Sequence, residues 1–460
     1  MVRRIALIGG GAAAVALINE LVRHPAEPAL PAEPALEVEW FSGAEQPGRG
    51  TAYGVRSDAL LLNVRAAAMS LYPDTPRDFV DFARQREPSC SADAFLPRRL
   101  YGDYLQVQLR RRLDEAAERG QVRIRQRADT VNAIHRDNPG WSVIGSSAAR
   151  VDAAVLAIGG LPPRPLPVVE RNLVDSGRYC IDPWSLLRRL PDIQPRQVVV
   201  VGLGLTAADV IGELARHWPQ ARFTALSRHG ALPESHTEMP LPPVASADRA
   251  ADWLRQPELR YWFHELRAAM RHSADWRPLI DGLRPHLSPL WQALPLEERA
   301  RFLRHAVWAW ERVRHRMPPT ARRSLQTLEQ SGRLQRRRGR LLGVVTEADH
   351  LRVSYGAAQR TPQVLQADLV IQCTGLNIDA RRSRHALLCQ LLDEGLVSAD
   401  RLGLGLRATS EGRLLDHNAS AAAPLFALGS LLRGVHWEST AMPEIRTQAQ
   451  QLARLLRAKF

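Results

Sequence analysis

Short apolar runs that stop at glycine set the rhythm of this chain. Residues 5–8 run into Gly9-Gly10-Gly11, residues 153–158 into Gly159-Gly160, and residues 197–201 into Gly202. Residues 367–372 lead to Gly375, and residues 425–428 meet Gly429. Unbroken apolar runs of this length predict strands buried on both faces, as in a parallel sheet flanked by other layers. After two of the glycine turns the period changes from strand to helix, over residues 11–23 and from Gly204 onward. Alternating segments at 121–125, 130–135, 141–144 and 150–156 predict strands, as do 223–226, 341–346 and 351–354. Helices are predicted from the break at Pro76 over 78–84, across the amphipathic stretch 95–120, and from about Met442 to the end. Residues 248–331 read as helical throughout, too long for a loop and outside any simple strand-helix-strand unit. Residues 25–36 repeat a Pro-rich hexapeptide and read as a loop insertion. LPPRPLP at 161–167 reads as a boundary.

The two strand-turn-helix units carry a specific spacing. The first is Gly9-x-Gly11-x-x-Ala14, and the second is Gly202-x-Gly204-x-x-Ala207. The first glycine permits the turn, and the second lets backbone approach a pyrophosphate. The small third residue lets helix and strand pack closely. The phosphates would sit on free N–H groups at the positive end of the helix dipole. After the second strand of such a unit an acidic residue usually holds the adenosine ribose. Ser42 takes that place in the first unit, leaving the contact to Ser42, to backbone or to another segment. In the second unit the strand ends in Ser227-Arg228-His229, where an Arg suits a 2′-phosphate and points to NADPH. An ordinary surface arginine is the competing reading. The glycine-rich loop 46–54, with Arg49, suits a position along a cofactor. Asn63, alone in an apolar stretch, either caps a turn or contacts a cofactor.

Composition narrows the classes. The chain has 460 residues, enough for two or three domains, and 45% apolar content. Its net charge of +14 comes almost wholly from arginine, with a single lysine at Lys459. These arginines are interleaved with acids, so a solvated surface is expected rather than a nucleic-acid face. The one run, residues 333–340, is a candidate anionic contact patch. Cys90, Cys180, Cys373 and Cys389 show neither zinc nor redox-dithiol spacing, and they suit a reducing cytoplasm. No metal centre is expected. Residues 1–18 look superficially like a signal peptide, but the strand-glycine-helix reading accounts for them, and no apolar run is long enough to span a bilayer. The tryptophans at 253, 262, 276, 291, 308 and 310 belong to the helical stretch, as core or as cavity wall. His236 and Glu238 lie after the Arg228 turn, as substrate-facing groups or as a polar loop.

GGGAAA at 9–14, GRGTAYG at 48–54, LLNVRAAAMS at 61–70, LPRRLYGDYL at 96–105, DPWS at 182–185, VGLGLTAADV at 201–210, SRHGALP at 227–233, IQCTG at 371–375 and the stretch 425–449 together resemble the bacterial FAD/NAD(P)-binding flavoproteins with two dinucleotide domains. Relatives of that group include flavin-dependent N-hydroxylating monooxygenases. The resemblance implies an α/β fold of two Rossmann-like domains: a discontinuous FAD domain (1–170 and 376–460) and an inserted NADPH domain (190–375) carrying the helical insertion 248–331. It implies FAD on Gly9, Gly11 and Ala14, with Ser42, Arg49, Asn63, Gly159, Gly429, Trp437 and Thr440 along it. It implies NADPH on Gly202, Gly204, Thr206, Ala207, Ser227, Arg228 and Gly375. Asn63, His436 and Glu438 become the candidate catalytic side chains. Gly429-Ser430 departs from the Gly-Asp common in related reductases.

The activity implied is a monooxygenase that uses NADPH and O2 to hydroxylate the nitrogen of a small amine or amino acid through a peroxyflavin. The alternatives are a flavin reductase or dehydrogenase serving another acceptor, and a flavin-binding partner protein without turnover.

Overall fold

The computed structural model describes residues 3–24, 35–357, 361–421 and 424–459. The Pro-rich hexapeptide repeat, apart from its last two residues, lies outside them. Two five-stranded parallel sheets dominate the fold, and the second repeats the first. In the first, Arg3–Ile8 pairs with Leu36–Phe41 on one side and Ala153–Leu156 on the other. Val122–Arg127 extends the sheet beyond Leu36–Phe41, and Leu425–Ala427 extends it beyond Ala153–Leu156. In the second, Gln197–Val201 lies between Arg222–Ser227 and Leu369–Gln372. Leu334–Arg338 and Tyr179–Cys180 form the edges.

Each sheet is covered alike. A three-stranded antiparallel sheet packs on one face and helices on the other. In the first domain the antiparallel strands are Ala133–Asp137, Gly140–Ile144 and Ala148–Val151. In the second they are Arg340–Glu347, His350–Gly356 and Gln363–Ala367, the last without a counterpart in the sequence reading. The outer strand Leu425–Ala427 comes from the far end of the chain, so the first domain is discontinuous.

The first glycine turn opens into the helix Ala12–Arg23, buried along nearly its whole length. It is enclosed by the sheet, by Arg98–Arg119 and by Met442–Lys459. A fully buried Val, Leu or Ile contributes roughly 1.5–3 kcal/mol, so this three-sided burial anchors the turn firmly. The second turn opens into Leu205–His217, packed against Val198, Val200 and Ile371.

Residues 247–330 form seven α-helices inserted between Arg222–Ser227 and Leu334–Arg338. Trp253, Trp262, Trp291 and Trp310 are buried in their common core, with Trp253 and Trp262 stacked at 5.2 Å. An apolar cavity of about 70 Å³ remains among them. The insertion therefore uses most of its tryptophans as core. No helix among the described residues is long and apolar enough to cross a membrane.

The two domains interlock. Val55 and Leu60, from the loop after the GRGTAYG stretch, are buried in the core of the second domain. Arg98 pairs with Asp209 at 2.9 Å, both largely buried, and Ser57 Oγ donates to Glu213 at 2.7 Å.

Candidate active site

The two glycine turns have the same construction. Gly9 sits at φ +126°, and its N–H donates to Phe41 O at 2.9 Å. A Cβ there would lie 2.2 Å from Ala157 O. Gly202 sits at φ +112°, and its N–H donates to Leu226 O at 2.8 Å. A Cβ there would lie 2.3 Å from Cys373 O. Gly11 and Gly204 then begin their helices in extended conformation, and no side chain caps either helix. Around Gly11 only Gly50 Cα comes within 4 Å of where a Cβ would be, at 3.9 Å. Around Gly204, Gly159 and Gly375 nothing does. Open backbone over uncapped helix starts is what a pyrophosphate requires, so both turns fit a dinucleotide. Ala14 and Ala207, both fully buried, close the helix–strand contacts.

Gly429, at φ +84°, lies beside the first turn: a Cβ there would lie 3.9 Å from Ala13 Cβ. Its N–H donates to Gln448 Oε1 at 3.0 Å, which ties the glycine to the C-terminal helix. Gly48 N donates to Gly10 O at 2.8 Å, which lays the glycine-rich loop across the turn. Arg49 itself turns away. Its Nε donates to Gln106 Oε1 at 3.0 Å and its guanidinium pairs with Asp103 on Arg98–Arg119. Ser42 is buried with its hydroxyl bonded to Ala44 O (2.6 Å) and Arg127 O (3.1 Å), serving the local loop.

Asn63 meets the second domain. Its carbonyl accepts from His236 Nε2 at 3.1 Å, and Arg65 beside it donates to Thr237 O at 2.7 Å. The Asn63 side-chain amide makes no bond among the described residues, which leaves it free for a ligand. Burial, with Arg316 nearby, holds the pKa of His236 down at about 3, so its ring is neutral. His236 also packs on Phe95, with ring centroids at 4.9 Å. Glu238 reaches solvent and pairs with Arg323.

The 436–440 segment faces the helical insertion. His436 Nε2 donates to Ser410 O at 2.9 Å, and its Nδ1 accepts from Ser288 Oγ at 2.6 Å. Burial lowers its pKa, so this ring too is neutral. Trp437 packs on Trp291 and Phe302 at 4.8 and 5.1 Å. Glu438 is buried and paired with Arg314 at 3.2 Å. Thr440 is exposed. The three side chains His436, Trp437 and Glu438 thus join the C-terminal segment to the insertion, while Asn63 is brought to the contact between domains.

On the second turn Thr206 lies in the first turn of its helix, and its hydroxyl makes no bond among the described residues. Ser227 Oγ accepts from Gly230 N at 3.0 Å, closing the turn after the strand. Arg228 is exposed and has no partner among the described residues. Arg338 stands opposite Ser227 in the strand register. The arginine run therefore has several separate tasks. Arg333 donates to Ala215, Trp218 and Ala221 carbonyls, Arg336 pairs with Glu329, and Arg338 borders the Arg228 turn. The four cysteines are free thiols, and burial pushes Cys180 up to about 11 and Cys373 further. Protonated thiols of this kind are poor nucleophiles. No cluster of metal ligands occurs among the described residues.

Residues 6–161 match the family model described as FAD-NAD(P)-binding. Over the full chain the structure is similar to the ornithine N-hydroxylase of Kutzneria sp. 744, with TM-score 0.66, 17% identity and 99% of each chain covered. It is similar to the L-lysine 6-monooxygenase of Pseudomonas syringae, with TM-score 0.66, 16% identity and again 99% of each chain. It is also similar to the cadaverine monooxygenase of Erwinia amylovora, solved with FAD. There the TM-score is 0.66 at 13% identity, over 100% of this chain and 95% of the other. The chain has the two-domain flavoprotein fold. In that fold the Gly9 turn belongs to the FAD-NAD(P)-binding domain, and the Gly202 turn is its structural repeat.

Proposed function

We propose that this chain is an FAD- and NADPH-dependent monooxygenase that hydroxylates an amine nitrogen of a small molecule or amino acid. The observation that carries the reading is the pair of equivalent, uncapped glycine turns in one interlocked body, with the His236 loop of the second domain seated on Asn63 of the first. The similar solved structures, whose substrates by name are ornithine, lysine and cadaverine, support the choice of an amine. We take residues 1–170 and 376–460 as the FAD-binding body and 190–375 as the NADPH-binding body.

When bound, FAD would supply the redox chemistry, taking hydride from NADPH and reacting with O2. The chain supplies position and dryness. Gly9 and Gly11 would hold the FAD pyrophosphate, with Ala14 packing the helix behind them and Gly159 and Gly429 beside it. Gly202, Gly204, Thr206 and Gly375 would hold that of NADPH, with Ala207 packing the helix behind them, and Ser227 and Arg228 would receive the 2′-phosphate. Asn63 offers its amide N–H and C=O to the reacting ends of cofactor and substrate. The neutral His236 keeps the Asn63 backbone fixed without introducing charge. His436, Trp437 and Glu438 hold the insertion over the site and keep water out. Free, largely buried thiols are compatible with a reducing cytoplasm.

The test is NADPH oxidation by the FAD-loaded protein over a panel of amino acids and diamines, with products analysed by mass. One oxygen added to an amine, matched to NADPH consumed, supports the proposal. NADPH oxidation that ignores every amine and instead reduces an added electron acceptor would replace it with a reductase. Flavin that NADPH fails to reduce would leave a binding protein.

A further inference from the structure

Of the eleven tryptophans, Trp308 alone is exposed among the described residues, at 38%. Its neighbour two residues on, Trp310, is buried in the insertion core. Trp308 instead stacks on His229, with centroids 3.8 Å apart and planes at 21°. His229 directly follows Arg228, just beyond the strand Arg222–Ser227. In a dinucleotide fold that strand end lies beside the adenosine.

The indole is held there by the rest of its helix, Val307–Arg314. Arg312 O accepts from Glu234 N at 3.0 Å, Arg312 Nε donates to Leu232 O at 3.3 Å, and its guanidinium pairs with Glu234. A flat apolar surface is therefore presented to solvent in a fixed place, on a histidine that Arg228 and Arg338 flank, two arginines without a carboxylate partner among the described residues. Burial and those same two cations lower the pKa of His229, so the stack is neutral at neutral pH. Fixed aromatic faces bind bases with little ordering cost.

We propose that Trp308, contributed by the helical insertion, is the stacking platform for the adenine of NADPH, with Arg228 and Arg338 gripping the adenosine 2′-phosphate. This rests on the NADPH reading above. It makes the nucleotide a tie between the second domain and the insertion.

The experiment is calorimetric titration of the FAD-loaded protein with 2′,5′-ADP, NADPH and NADH, together with indole fluorescence. Trp308→Ala should weaken all three roughly 5- to 100-fold, because adenine is common to them. Trp308→Phe should retain most of the affinity. Arg228→Ala and Arg338→Ala should weaken 2′,5′-ADP and NADPH while leaving NADH unchanged. His229→Ala, which removes the backing ring without touching the insertion core, should weaken adenine nucleotides by a smaller factor. If Trp308→Ala and His229→Ala bind 2′,5′-ADP as the parent does, the platform is wrong and the NADPH reading stands. If the parent binds none of the three, the NADPH reading itself falls, and the platform with it.

Discussion

Two glycines carry the strictest geometric demand in the chain. Gly9 and Gly202 both lie at positive φ with a carbonyl where a Cβ would go. Gly9→Ala must push against Ala157 O, and Gly202→Ala against Cys373 O, in a conformation alanine itself disfavours. We expect Gly9→Ala to purify with little flavin, read from its visible absorbance. Gly202→Ala should keep its flavin and lose NADPH-driven reduction, measured anaerobically. Arg228 makes a different demand, of charge alone. Arg228→Ala should raise the KM for NADPH by roughly tenfold or more, the loss of one charge-assisted contact of about 1.5–3 kcal/mol, with little change for NADH. Equal effects on the two nucleotides would remove the 2′-phosphate assignment.

The loop that follows Arg228 is one of the elements that join the two domains. It docks through His236 on Asn63 O and through Arg65 on Thr237 O. His236 is held neutral, with its pKa at about 3 against an ordinary 6.5. The unfolded chain therefore takes up this proton first as pH falls. Its contribution to stability is full above pH 6.5 and is lost as pH drops towards 3. The expected slope in that window is up to about 1.4 kcal/mol per pH unit. His236→Gln can keep a donor to Asn63 O without titrating, so its unfolding free energy should fall less steeply with acid by about one proton. Denaturant melts across pH 4–7 measure this directly, and parallel slopes for the two proteins would refute it. The same element scale shows where hydropathy is silent. Leu334–Arg338 is an edge strand with only Leu334 buried, so its arginines read as a charge run, although Arg336 pairs with Glu329 and Arg338 stands opposite Ser227 at the Arg228 turn.

For the molecule as a whole, the joint between domains is part core and part ion pair. Val55 and Leu60 enter the second core, and Arg98 meets Asp209 across the joint. Burial raises the pKa of Asp209 even with Arg98 beside it, so an unpaired Asp209 would be costly. Arg98→Leu should lower stability by about 3–5 kcal/mol, and Asp209→Asn in the same protein should recover much of it. Thermal unfolding of the single and double variants tests this, and additive losses would contradict it.

The local facts were legible from residues alone. Apolar runs ending at glycine, and the change of period after them, specify both nucleotide turns, because strand, turn and helix start are set by neighbours within a dozen residues. The helical insertion was equally plain from its length and period. Tertiary structure decided the rest. It turned Arg49 toward Gln106 and Asp103, and set Ser42 on loop carbonyls. It faced His436, Trp437 and Glu438 to the insertion, set Asn63 against His236 at the contact between domains, and stacked Trp308 on His229. Those choices depend on partners tens to hundreds of residues away. A sequence fixes which groups a side chain can bond, but only the folded packing fixes which of them it meets.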